Sequence, residues 1–130
     1  MIGIFLCFLL QGPVLTETPP EVLQSFQNSN SLILVFSDSN RSPDYEKAMS
    51  ELARDPLGLD SRDLLIFEIF LQGGINPDGS SLTDEETSSL RDFFHVRTSE
   101  FYIIVLDKML QEKFRTKQPV ALKEIFDAID

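Results

Sequence analysis

Cysteine is nearly missing from this chain: of 130 residues only Cys7 is one, and it lies in an apolar run at the N-terminus. One thiol closes no internal disulfide. Removal of that run would leave no sulfur nucleophile for thiol–disulfide exchange. Tryptophan is absent and His95 is the only histidine. Without a cysteine or a second histidine beside it, His95 makes no zinc ligand set, and its place after Phe93-Phe94 predicts a helix-end or solvated role. Cations are scarce, with 11 Lys and Arg against 21 Asp and Glu and a net charge of −10. With no basic stripe to offset that charge, a phosphate backbone is repelled, so nucleic acid is excluded as a partner and anionic lipid is disfavoured. No Gly-x-Ser-x-Gly elbow is present to expose a serine nucleophile.

What is present begins with MIGIFLCFLL, residues 1–10. The run is far shorter than the ~20 residues of a membrane-spanning helix. It has the length of a secretory leader core, followed by the turn formers Gly12 and Pro13. No Lys or Arg precedes it, and Val14-Leu15-Thr16 is the nearest approach to a small-x-small cleavage site. The sequence predicts a signal peptide over 1–16, with a first β-strand as the alternative. The predicted location is secreted, extracellular or periplasmic, with no integral membrane segment once the leader is removed. The Pro-rich TETPPE, residues 16–21, marks the break after the leader; residues 17–30 are predicted as a linker or short N-terminal helix, and 31–130 as one domain.

Leu32 to Phe36 is a continuous apolar run, the pattern of a strand buried on both faces. Pro43 then opens a helix with Tyr45, Ala48, Met49 and Leu52 at helical spacing, which Pro56 and Gly58 are expected to stop. DLLIFEIFL, residues 63–71, predicts a second strand, and the Gly- and Asn-rich segment 73–79 a long loop. Thr83 with Glu86 has the spacing of a capping box before a helix through Leu90 and Phe94. FYIIVL, residues 101–106, is a third strand; 111–115 returns as its antiparallel partner, and a last helix follows Pro119. The order β-α-β-α-β-β-α predicts an α/β fold with a central mixed sheet and helices on both faces. The eleven Phe are expected mainly to fill its core.

The layout resembles the thioredoxin fold. More closely, LILVFS (32–37), GLDSR (58–62), FYIIVLDK (101–108), Pro119 and EIFDAID (124–130) resemble an uncharacterised thioredoxin-like domain. That domain ends the secreted sushi-repeat-containing proteins and related matrix proteins, and occurs alone in short bacterial proteins. The resemblance implies an exported domain and brings no established activity. Placed on the thioredoxin pattern, the redox Cys-x-x-Cys would fall at Arg41-Ser42-Pro43-Asp44, where both thiols are gone. The fold's second hallmark, a proline before the third strand, would fall near Glu100 and is also absent.

In open α/β sheets, ligands bind outside the carboxyl ends of the strands. Asp38, Arg41 and Asp44 follow the first strand and Glu100 precedes the third, so these four form the candidate binding site. A functional version would hold a cation, a small polar ligand or a partner's basic loop. The plainer alternative is local: Ser42 or Ser39 caps the helix, Asp44 favours its positive end, and Arg41 pairs with a neighbouring acid. Asn76-Pro77-Asp78-Gly79-Ser80 looks superficially like a calcium loop. It puts Gly74 at the first ligand position and Leu82 where a polar ligand belongs, so an acidic loop with a capping box is the better reading. Asn40-Arg41-Ser42 is an N-glycosylation sequon. The expected function is a non-catalytic, non-redox domain that binds an unidentified protein or small polar ligand, with no cofactor and no metal. The alternative is a non-redox enzyme or cation-binding protein using the carboxylates at the sheet end.

Overall fold

Ser31–Phe36 forms β1, and all six of its side chains are buried. A strand buries consecutive residues only where both of its faces are covered. The computed structural model, which describes residues 18–130, places β1 inside a sheet with helices above and below. The predicted leader and Cys7 lie outside the described residues.

On one side β1 pairs in parallel with β2, Leu64–Ile69, with Ile33 opposite Ile66 and Val35 opposite Glu68. On the other it pairs antiparallel with β5, Tyr102–Leu106, with Leu34 opposite Ile104 and Phe36 opposite Tyr102. Beyond β2 lie two short strands, β3 (Gly74–Ile75) and β4 (Ser81–Leu82), and beyond β5 lies β6 (Glu112–Thr116). The six-stranded mixed sheet has the order β4-β3-β2-β1-β5-β6. The helices are α1 (Glu21–Gln24), α2 (Pro43–Leu52), α3 (Pro56–Ser61), α4 (Asp84–Phe94) and α5 (Leu122–Ile129).

Alternation along the strands divides the core in two. Leu32, Leu34 and Phe36 join Phe67, Ile69 and Ile104 under Leu23 of α1 and Leu90 and Phe94 of α4. Ile33 and Val35 join Leu64, Ile103 and Val105 under Ala48 and Leu52 of α2 and Leu122 and Ile125 of α5. At about 25 cal/mol per Å² of apolar area buried, these two layers dominate the stability.

Two expectations need correction. The helix opened by Pro43 does end before Pro56, at Leu52, but Pro56 and Gly58 then belong to a further short helix. Pro56 stands at the first position of α3, and Asp55 accepts a hydrogen bond from Gly58 N at 2.9 Å as its N-cap. Proline is well placed there because the first helical N–H has no intrahelical partner. Segment 73–79 is not wholly loop. Gly73, at φ +74°, turns the chain so that Gly74 and Ile75 pair with Ile69 and Glu68 and with β4. Two-residue strands are too short to show an alternating pattern.

α5 has no capping side chain of its own. Glu51 of α2 supplies one, its Oε2 accepting from Leu122 N at 2.9 Å. Arg62, just after α3, donates from Nε and Nη2 to the two Asp130 oxygens at 2.9 Å and lies 3.8 Å over the Phe126 ring. The last helix is thereby tied to the middle of the chain.

Candidate functional site

The carboxyl end of β1 continues into Ser37 and Asp38, and the polar turn after it leads into α2. Ser37 is buried, and its hydroxyl donates to the Ser39 carbonyl at 2.8 Å and shares a 2.9 Å hydrogen bond with the Ser42 hydroxyl. Ser42 is the N-cap of α2, its Oγ accepting from Tyr45 N at 3.1 Å. Ser39 Oγ accepts from Arg41 N at 3.2 Å. The serines therefore act as scaffold, fixing the turn by satisfying backbone donors that the helix start leaves open.

Asp38, Arg41 and Asp44 project from this turn and are exposed. Asp44 lies in the first turn of α2, where the helix dipole favours a negative charge. The expected ion pair of Arg41 with a neighbouring acid does not form: among the described residues Arg41 has no carboxylate within 4.0 Å. Antiparallel pairing of Phe36 with Tyr102 brings Glu100, two residues before β5, to the same end of the sheet. Glu100 is held by Lys117 Nζ at 3.3 Å. Lys117 and Arg115 also lie 5.5 and 5.2 Å from the Tyr102 ring centroid. No hydrogen bond or ion pair among the described residues joins Glu100 to Asp38, Arg41 or Asp44. The topology thus gathers the four residues at one sheet end without locking them together. Among the described residues, no three His, Asp or Glu side chains gather as a metal site would require.

A second polar contact at this end was not among the predicted site residues. The Tyr45 hydroxyl donates to Glu68 Oε1, and the Tyr45 ring packs edge-on against Phe70 with centroids 5.3 Å apart. Glu68 is the one charged residue within β2, on the α2 side of the sheet, and it needs a donor there. Burial first, then the hydrogen bond and charge of Glu68, push the Tyr45 phenol well above its ordinary value. A phenol whose folded pKa exceeds its unfolded one contributes stability that is complete below about pH 10 and is lost as the pH rises beyond it. The urea midpoint should therefore fall between pH 9.5 and 11, and Tyr45→Phe should flatten that slope. An unchanged slope in the variant would show that other groups govern the alkaline loss.

His95 is the C-cap of α4, at φ 58°, and is exposed, in keeping with a helix-end role. Thr83 and Glu86 form the expected capping box, with bonds of 3.0 and 2.9 Å. Asp78 accepts from both the N–H and the hydroxyl of Ser80, and these bonds hold its carboxyl below the usual range. That segment is an ordinary turn.

The candidate site is a helix start beside a strand end, capped by Ser42 with Arg41 and Asp44 next to the cap, at one end of a six-stranded mixed sheet. The structure superposes on a reduced 2-Cys peroxiredoxin of Plasmodium vivax with a TM-score of 0.62 over 81% of this chain and 78% of that one, at 14% identity. Thioredoxin peroxidase I of Plasmodium yoelii gives 0.62 over 81% and 74%, at 12% identity. These likenesses establish a thioredoxin fold. The chain belongs to the family described as Domain of unknown function (DUF4174), which it matches over residues 22–130. It is also 26% identical over 129 residues to the bovine (Bos taurus) Sushi repeat-containing protein SRPX2, covering 95% of this chain and 27% of that protein. The chain thus spans about a quarter of that relative's length.

Proposed function

We propose that this chain is an exported, non-catalytic thioredoxin-fold domain that acts by binding, through the sheet end that carries Asp38, Arg41, Asp44 and Glu100. The observation that carries the reading is the start of α2. Its capping position is taken by Ser42, flanked by Arg41 and Asp44, and residues 18–130 contain no cysteine. A helix N-terminus is where a thiolate would be stabilised, and here the cap and a carboxylate use that field instead. Export is supported by the apolar run at 1–10 and by the likeness to a sushi-repeat protein.

Three exposed or half-exposed carboxylates on a chain of net charge −10 favour a cationic partner surface, such as a basic loop. The purified chain should neither reduce insulin nor consume peroxide, and thiol-blocking reagents should leave its binding unchanged. Peroxide turnover would overturn the reading. A Lys/Arg-rich peptide should shift the backbone amide signals of 38–44 and 100. Asp38→Asn with Asp44→Asn should weaken that binding about tenfold, the scale of two rim charges. Shifts scattered over the remaining acidic surface would rule out this sheet end as the site.

A further inference from the structure

Arg91 is anomalous in this protein. It lies on α4, only 8% exposed, among the residues with which the helix meets the core: Thr87, Leu90 and Phe94. Its Nη2 is buried without a hydrogen-bond partner, the one such side-chain atom among the described residues. Among those residues, the guanidinium has no carboxylate within 4.0 Å and accordingly no ion pair. Burial lowers its affinity for its own proton, only partly offset by Asp92 and Asp84.

The other well-covered arginines are served. Arg62 has both Asp130 oxygens and the Gly58 carbonyl, and Arg115 has both Glu112 oxygens and the Phe94 carbonyl. A buried cation with no counter-charge is costly and is ordinarily paired. An apolar residue would fill the same place on α4 without that cost.

Position adds to the argument. Pro20 and Val22 line a groove together with Glu85, Glu86 and Ser89 of α4, which sets α1 beside that flank of the helix. At about 100° per residue, Arg91 lies some 200° around the helix from Ser89, on the flank away from α1. α1 belongs to the opposite end of the sheet from the carboxyl end of β1. The chain just after it is bonded to the β5–β6 turn, Asn28 N donating to the Lys108 carbonyl, while Phe94 meets Phe36 at the carboxyl end.

We propose that Arg91 is the anchor of an oxyanion site: its planar fork takes a carboxylate or phosphate group of a small ligand, which supplies the missing counter-charge. The proposal does not depend on the binding role of the Asp38–Asp44 turn, because it names a different residue and a ligand of opposite charge. It predicts saturable binding of small oxyanions to the full chain.

The test is a titration of the ¹⁵N-arginine-labelled full chain with inorganic phosphate, sulfate and acetate, at ionic strength held constant with chloride. One Nε signal, the one missing from Arg91→Lys, should move saturably, and the melting temperature should rise with the same concentration dependence. In Arg91→Met the affinity should fall at least tenfold, and a difference between phosphate and acetate would distinguish the two ligand classes. Equal responses in the wild type and Arg91→Met, or a response that chloride reproduces, would overturn the proposal and leave Arg91 a buried cation served by water. Should Arg91→Met fail to fold, the wild-type Nε signal and Arg91→Lys decide alone. In this arm, a signal that stays still in the wild type counts against the site.

Discussion

Phe36→Ala should lower the free energy of unfolding by about 3–5 kcal/mol, the range for deleting a fully buried phenyl ring. Phe36 is 1% exposed at the end of β1, it touches the Phe94 ring with centroids 6.4 Å apart, and it lies opposite Tyr102. Three elements therefore face the cavity left by truncation: β1, β5 and α4. They cannot all close on it without breaking the register that joins them. For a domain with about 5–15 kcal/mol in total, such a loss brings the chain close to unfolding. Urea unfolding should show a lower midpoint with an unchanged slope. A loss under about 1 kcal/mol would mean that α4 settles onto the sheet far more freely than its packing indicates.

Gly74→Ala should be the most disruptive single-methyl change. A Cβ at Gly74 would stand 2.3 Å from the Glu68 carbonyl oxygen and 2.9 Å from Leu82 Cδ1. The first of these is backbone and cannot rotate away, so β3 must separate from β2 and the two-residue ladder Glu68–Ile75 and Ile69–Gly74 must open. The expected loss is about 3 kcal/mol, the upper part of the range for overpacking. It should be accompanied by faster amide exchange across residues 68–82. Gly79 is the control. It has positive φ and open space around it, so alanine there meets backbone strain without collision. Protection retained at 68–82 in Gly74→Ala would show that the hairpin can shift without unpairing.

Much of the architecture was visible in the residues themselves. β1 was legible because five consecutive apolar residues between polar tracts fit few places other than a sheet covered on both sides. The capping box of α4 was legible because its two partners are three residues apart. The site was legible only in part. The end of the sheet to which Asp38, Arg41, Asp44 and Glu100 belong follows from element order, whereas the partners of each depend on register. Lys117 reaches Glu100 because β6 returns alongside β5. Tyr45 and Glu68 meet because α2 crosses β2 at one particular depth, although a lone glutamate inside LLIFEI was a readable sign that a donor must face it. Arg91 gave no sign at all. An arginine on the flank of an amphipathic helix is ordinarily solvated, and its burial follows from how α4 is rotated on the sheet.

The pairing of β1 has a consequence for the order of events during synthesis. Its antiparallel neighbour, β5, arrives only after most of the polypeptide has been made, Leu32 waiting for Leu106. Central contacts between residues so distant in sequence raise the contact order and slow folding. At ribosomal rates of about 5–20 residues per second, the nascent chain spends several seconds without the strand that completes its middle. Throughout that interval the five apolar residues of β1 are exposed to whatever handles nascent chains. Were the chain exported as proposed, this would also be the interval in which it could still be threaded, unfolded, through a membrane pore.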